Sequence, residues 1–411
     1  MKQDKPIINS LLDLDKYKLT MLSFVHAKHP DANVTYSFNN RTTSIPLAKY
    51  IDVNELKEQI QHIKTLRFTF DELFYLSGQP EFRDRSFINF LSMQKHDTEF
   101  FIGESNGQIS LRFSGKWEDA ILYETLVLSI INEMFARKIK DALTSTTIDD
   151  MFTFGTEALV DKLTWIKKYP GIKFIEFGTR RRHSAEWQRK VTTMCHDIAP
   201  ENFIGTSNYL LAKELGLNAV GTVAHELFMV RAAIEYDLAN CRPRRDTQKK
   251  TIKEWLGFNI PAMSYILTDT FGTKAFLEDF DGDLADKCYG VRHDSGDPFQ
   301  FAQRMIAHYK ALGIEPKHKT IVFSDGLDEG IIIKLYNTFK DEIGMTFGWG
   351  TNLTNDLGIK PLSIVVKACS VNGMETVKLS DNINKAMGNT AEVAKYINVF
   401  HPDQIEEKTI Y

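Results

Sequence analysis

Seven short apolar runs between residues 172 and 350 each lead into side chains that can handle protons or phosphates: "IKFIEFG", "NFIGTS", "NAVGTV", "SYILTDT", "CYGVRHD", "KTIVFSD" and "GMTFGWG". The first continues through Glu176 into Arg180, Arg181 and Arg182, the second ends at Thr206, Ser207 and Asn208, and the third at His225 and Glu226. The fourth ends in Asp269, the fifth in Arg292, His293, Asp294 and Ser295, the sixth in Ser324, Asp325 and Gly326, and the seventh in "GWGTNLTND". Arg180, Arg181, Arg182 and Arg292 together suit a polyanion such as a phosphate or pyrophosphate. The glycines of "SDG" and "GWGT", among them Gly326, Gly348 and Gly350, allow backbone amides to approach a phosphate closely. Asp269 and Asp294 suit Mg²⁺ bridging phosphate oxygens, or stabilisation of developing positive charge. His225 stands where an apolar run turns into a helical pattern, so it is either a packed core residue or a catalytic group. The ligand class that follows is a phosphorylated or pyrophosphorylated sugar.

Each feature alone has a plainer reading. "RRR" reads as a solvated helix start, "GWGT" as a tight turn, and "DSGDP" as an N-cap with Pro298 opening the next helix. Their common position after successive strands favours the functional reading. Each of the first six runs is followed by a helical segment, such as "NYLLAKELG" or "PFQFAQRMIAHYKALG". Strands alternating with helices imply βαβ units and a parallel sheet. Seven in succession favour a closed or nearly closed barrel, whose active sites lie at the carboxyl ends of the strands.

The flanking regions have another rhythm. In residues 1–150, "YSFNNRT" (36–42) and "QISLRFSG" (108–115) read as strands, and "ETLVLSIINEMFARKI" (124–139) as a buried helix, apolar around most of its circumference. "LSIVVKACSVNGMETVKLSD" reads as two strands turning at Asn372-Gly373. The expected organisation is an amino-terminal α+β domain over 1–150, joined by the hairpin and tail of 362–411, and an α/β barrel over 151–361 that carries the site.

The 411 residues are 43% hydrophobic and 25% charged with a net charge of -4, which gives no global bias toward nucleic acid or a membrane. The four cysteines are dispersed and form no CxxC pair. Neither a zinc site nor a disulfide framework is expected, and a reducing, cytoplasmic setting is. The charged amino terminus contains no apolar stretch of leader length, and no run approaches a membrane helix.

Nearly the whole chain resembles the bacterial, ATP-coupled nicotinate phosphoribosyltransferases. The resemblance rests on "LDLDKYKLTM" (12–21), "YSFNNRT", "EFGTRRRHS", "GTSNYLLAKELGL", "GTVAHELF", "LTDTFGTKAFL", "VRHDSGDP", "VFSDGLD" and "GWGTNLTND". It implies an irregular α/β barrel of the type II phosphoribosyltransferase kind with an amino-terminal α+β domain, in a homodimer with shared active sites. The implied reaction joins nicotinate to phosphoribosyl pyrophosphate, giving nicotinate mononucleotide and diphosphate, with ATP as co-substrate and Mg²⁺ as cofactor. Tyr17 is implied to stack on the pyridine from the neighbouring subunit, Phe177 to form the opposing face, and Arg180 to meet the nicotinate carboxylate or a substrate phosphate. Asp269 and Asp294 match acidic positions near ribose and metal, with Asp294 the implied Mg²⁺ ligand. Arg292, Ser324 and Asp325 fall among the substrate-binding positions, and Gly326, Gly348, Gly350 and Thr351 match the 5-phosphate cradle. His225 matches the histidine that ATP phosphorylates. Where the related nicotinamide enzymes carry an aspartate, this chain has Ser207, which is neutral and can donate a hydrogen bond, so the acid is favoured over the amide. The competing expectations are a nicotinamide or quinolinate phosphoribosyltransferase on the same fold, or a sugar-phosphate barrel lyase. The lyase needs a Schiff-base lysine at a strand end, whereas Lys173 starts its strand and Lys274 falls within a helix.

Overall fold

The computed structural model describes residues 5–82, 84–382 and 386–401, so residues 402–411 of the tail lie outside it. The chain forms two compact units: Met1–Asp31, Tyr36–Gly221 and Trp349–Lys367 make the first, and Ala32–Thr35, Thr222–Gly348 and Ala368–Tyr411 the second. The segment expected to accompany residues 1–150 as a block, 362–411, is thus divided at residue 367.

In the first unit, β1 (Asn33–Asn40, from Tyr36 onward) neighbours β3 (Gln108–Lys116), which pairs antiparallel with β2 (Glu99–Ser105). The helix read from "ETLVLSIINEMFARKI" spans Tyr123–Asp141 and is buried without interruption from Tyr123 to Ala136. A helix apolar on all sides must be enclosed. Its few polar groups therefore need partners, and two of them hold the turn at residues 179–180: Ser129 Oγ donates to the Thr179 carbonyl at 2.9 Å and Asn132 Nδ2 to that of Arg180 at 3.0 Å. Strands β4 (Phe174–Glu176) and β5 (Phe203–Thr206) pair in parallel, as their apolar runs imply.

The third apolar run, "NAVGTV", is not a strand. Only Ala219 forms a bridge, with Thr206, through Thr206 N–H to the Asn218 carbonyl (3.1 Å) and Val220 N–H to the Thr206 carbonyl (2.9 Å). Asn218 is exposed and Ala219 and Val220 are half-buried, so the run lacks the two covered faces that a parallel strand requires.

In the second unit, β6 (Tyr265–Leu267), β7 (Gly290–His293), β8 (Thr320–Phe323) and β9 (Gly344–Trp349) run parallel, each beside the next. Helices Thr273–Asp279 and Gly282–Lys287 connect the first pair, and Pro298–Ala311 and Glu329–Phe339 the next two, so the alternation read from the sequence is present. β10 (Ile364–Val371) and β11 (Met374–Glu375) form the hairpin, with Asn372 (φ 49°) and Gly373 (φ 82°) at the turn, the signs a two-residue primed turn demands. Just beyond it, Leu379 N–H donates to the Thr270 carbonyl at 2.8 Å, after β6 in the same unit. The fold is mixed α/β with parallel strands and a separate amino-terminal part. Among the described residues no helix is long and apolar enough to cross a membrane, and all four cysteines are free.

Candidate active site

His225 opens the helix His225–Ile234 and is only 5% exposed. Its Nδ1 lies 2.9 Å from Thr270 Oγ1, and its Nε2 lies 3.0 Å from Asp294 Oδ2, 2.9 Å from Lys378 Nζ and 3.5 Å from Asp269 Oδ1. Burial lowers its pKa, the Lys378 ammonium adds to that, and Asp269 and Asp294 pull the other way, so the imidazole is neutral at neutral pH. Asp269, 1% exposed, accepts from Ser295 Oγ at 2.6 Å and pairs with Lys378 at 3.1 Å. Burial opposes its ionisation, but the Lys378 ammonium holds the carboxyl at about 2. Asp294 reaches solvent most, with its side chain 26% exposed. Burial opposes its ionisation as well, and the Arg292 guanidinium keeps it well below the usual carboxylate range. Arg292 donates to Asp294 Oδ1 (3.1 Å), Ser324 Oγ (2.8 Å) and Thr222 Oγ1 (2.9 Å), which ties three turns to one guanidinium.

His225, Asp269 and Asp294 each offer a ligand atom within 4.8 Å of the others, the spacing of a metal site. The cluster nevertheless does not fit Mg²⁺, which demands an octahedron of oxygens at about 2.0–2.1 Å. One donor is an imidazole nitrogen, and the Lys378 ammonium already stands against His225 and Asp269. Both Asp294 oxygens are engaged, Oδ1 by Arg292 and Ser324 and Oδ2 by His225. With His225 neutral, two carboxylates meet two cations, Lys378 and Arg292, and the charge balances without a metal. Asp294 is therefore not assigned as a metal ligand.

The first unit gathers a second set. Ser207 Oγ donates to Asp15 Oδ1 at 2.6 Å, and the Ser207 carbonyl accepts from Lys16 N–H at 2.7 Å. Arg180 lies 3.4 Å from both Asp15 and Glu124, with its guanidinium 5.8 Å from the centre of the Tyr17 ring in the same chain. Glu124 also pairs with Lys18 (2.6 Å) and Lys367 (3.8 Å). Burial opposes its charge, and these three cations hold its pKa at about 2. Phe177, half-buried, follows β4 and donates its N–H to the Trp349 carbonyl at 2.9 Å. Arg182 does not face a ligand. It is buried and grips Asp13 with two bonds of 2.6 Å, so it is a structural ion pair and leaves the set of arginines available to a polyanion.

Most of the remaining expected residues lie on turns that follow strands. Ser324 and Asp325 follow β8, and Gly326 takes φ 62°, a left-handed turn open to glycine without strain. Gly348 lies in β9 in the second unit. Gly350 and Thr351 belong to the first, where Thr351 opens the four-residue helix Thr351–Thr354.

The model of the nicotinate phosphoribosyltransferase (NAPRTase) family matches residues 172–404, and that of the family's N-terminal domain matches residues 12–132. The chain belongs to the nicotinate phosphoribosyltransferase family. It is similar to the solved nicotinate phosphoribosyltransferase of Vibrio cholerae, with 35% identity and a TM-score of 0.83 over 97% of this chain and 94% of that one. It is also similar to that of Porphyromonas gingivalis, with 29% identity and a TM-score of 0.84 over 96% and 100% of the two chains. The chain is thus an enzyme of the nicotinate phosphoribosyltransferase type, a family that uses ATP as co-substrate.

Several residues of both sets were not singled out from sequence. Asp15 lies within a quoted motif, but nothing local marks it as the partner of Ser207. Lys378 is flanked by apolar Val377 and Leu379 and followed by Ser-Asp, a weak signal of an inward-facing charge. Glu176 was visible as a carboxylate at a strand end. Burial raises its pKa from an ordinary 4.5 to about 7, although Thr206 Oγ1 and Gln188 Nε2 donate to it. A carboxyl raised in the folded state destabilises it as pH rises from the unfolded value to the folded one. Wild-type stability is expected to fall between about pH 4.5 and 7 by roughly 1.4 kcal/mol per pH unit more than that of Glu176→Gln. Urea unfolding across that range tests this, and identical slopes for the two proteins count against it.

Proposed function

We propose that this nicotinate phosphoribosyltransferase joins nicotinate to the anomeric carbon of phosphoribosyl pyrophosphate, with the transfer coupled to ATP hydrolysis through a phosphorylated His225, the first step of NAD salvage from nicotinate. The observation that carries the proposal is the His225 environment: a neutral imidazole with one nitrogen on Thr270 and the other turned to Asp294, the cluster's most exposed side chain. A core histidine with no task has no need of two carboxylates and an ammonium around one nitrogen.

The pyridine nitrogen is already nucleophilic, so attack needs no strong base. As pyrophosphate leaves, positive charge grows on the ribose, and the ionised carboxylates of Asp269 and Asp294 are the groups assigned to stabilise it. Arg292, held by Asp294 and Ser324, is assigned to the pyrophosphate, and Arg180 to the nicotinate carboxylate, with Tyr17 and Phe177 on the ring faces. Ser324, Asp325, Gly326, Gly348, Gly350 and Thr351 are assigned to the 5-phosphate. Mg²⁺ enters the proposal only as the counter-ion that ATP and the pyrophosphate substrate carry, and no step here passes through it. A homodimer with shared sites rests on the family resemblance, and light scattering is expected to give twice the mass of the 411-residue chain.

The decisive assay follows diphosphate release from phosphoribosyl pyrophosphate with nicotinate, nicotinamide or quinolinate, each with and without ATP. Nicotinate should be the substrate, and ATP should stimulate it. Use of nicotinamide in its place sinks the assignment. Ser207→Asp probes the same choice, because Ser207 is buried and already donates to Asp15. A second carboxylate there faces Asp15 and an incoming nicotinate anion. Its kcat/KM for nicotinate is expected to fall by about 1–3 kcal/mol of transition-state stabilisation. Unchanged kinetics remove Ser207 from the pyridine site.

A further inference from the structure

The cation at the centre of the His225 cluster is a lysine contributed by the segment after the last hairpin. We infer that Lys378 is a positioning residue for the ATP-coupled half of the reaction: its ammonium keeps His225 Nε2 free of a proton and turned toward the incoming phosphoryl group. This rests on the reading of His225 as the residue that ATP phosphorylates.

Lys378 is only 6% exposed, and its backbone is tied on both sides. It exchanges two hydrogen bonds with Met387, of 3.0 and 2.8 Å, and the next N–H, of Leu379, donates to the Thr270 carbonyl at 2.8 Å. Thr270 is also the residue whose hydroxyl meets His225 Nδ1. Asp269 anchors the ammonium at 3.1 Å and is itself held by Ser295.

His225 Nε2 stands between two groups with opposite requirements. The Asp294 carboxylate can only accept, so it asks for a proton on Nε2. The ammonium can only donate, so it asks for the lone pair there. One nitrogen cannot serve both. An imidazole carrying its proton on Nε2 cannot attack phosphorus through that atom. With the proton on Nδ1, Thr270 Oγ1 accepts it and the Nε2 lone pair faces Lys378, while Asp294 keeps Arg292 and Ser324 on its other oxygen. Lys378 is the group that selects this tautomer.

In the step itself, Nε2 forms a bond to the γ-phosphorus of ATP. The bond from that phosphorus to the oxygen bridging it to the β-phosphate breaks, and its electron pair leaves with ADP. The Nδ1 proton stays on the ring, hydrogen-bonded to Thr270 Oγ1. Lys378 gives up its bond to Nε2 and is left beside the new phosphoryl oxygens, where about two negative charges have arrived.

The charged groups around the ring are few. Asp269, Asp294 and Lys378 face it directly. Arg292 stands behind Asp294, and Asp381 bonds Thr273 on the next helix. Glu226 follows on the same helix, and Glu375 lies on β11, which packs against it. Of the three that face the ring, Lys378 alone disfavours protonation of His225.

The test compares the full-length wild type with K378Q and K378R, following the rate of acid-labile labelling by γ-labelled ATP from pH 5 to 9, with thermal melting as the check on folding. K378Q should label at least about tenfold more slowly at neutral pH, as for loss of one preorganised charge. The acid limb of its rate profile should rise by about one pH unit, because the charge that holds the imidazole neutral is gone. K378R should keep the wild-type acid limb. A folded K378Q with the wild-type rate and profile overturns the proposal. If K378Q does not fold, a raised acid limb in folded K378R overturns it equally. Absence of labelling in the wild type, or its persistence in H225N, strikes the phosphohistidine reading instead, which separates the two failures.

Discussion

His225→Asn is expected to fold, to lose acid-labile labelling by ATP by at least about two orders of magnitude, and to lose all stimulation by ATP. The ring it removes is neutral, because burial and Lys378 lower its pKa, so its loss strands no unpaired charge. Asp269 and Lys378 still face each other at 3.1 Å, and Asp294 keeps Arg292. The asparagine amide can reach toward Thr270 but has no nucleophilic nitrogen. ATP-independent phosphoribosyl transfer should remain measurable, because the groups assigned to the ribose and the leaving group are all still present. Labelling with γ-labelled ATP and diphosphate release with and without ATP check both halves. A folded variant that still forms a phosphoenzyme, or that ATP still stimulates, ends the assignment of His225.

Asp294→Asn is expected to lower turnover at least about tenfold, as for loss of a charge used in the transition state. The side chain joins three functional groups: Arg292 and Ser324 at one oxygen and His225 at the other. Neutralising it leaves the buried Arg292 guanidinium without its carboxylate, so some stability is lost as well, and thermal melting separates that loss from the loss of turnover. The pH profile should show how the activity is lost. Asp294 favours protonation of His225, so its neutralisation leaves the imidazole more firmly neutral. The acid limb of phosphoenzyme formation should therefore stay in place or move down, opposite to the shift expected for K378Q. Near-normal turnover removes Asp294 from the catalytic set, and an upward shift of the acid limb contradicts the charge balance described for the cluster.

The sequence by itself determined the alternation of strand and helix and the residues that stand where strands end. Apolar period and turn chemistry report local burial and local direction, and the carboxyl end of a strand is a local feature. Asp269 after β6, Arg292 and Asp294 at β7, Ser324 after β8 and His225 at a helix start were therefore legible from windows of a few residues. "NAVGTV" misled because its composition is that of a strand, while its neighbours leave Asn218 exposed and only one residue bridged. The tertiary structure alone decided which of these groups meet, and in what charge state. Lys378 reaches His225 across 153 positions, Ser207 meets Asp15 across 192, and Arg182 meets Asp13 across 169. Each pairing overturns or completes a local reading: the arginine becomes structural, the serine hydroxyl is already engaged, and an ammonium stands beside His225 and Asp269. The physical reason is that a residue type states what a side chain can donate, accept or ionise. Which partner it finds, and how far burial displaces its pKa, follow from long-range packing that no local pattern carries.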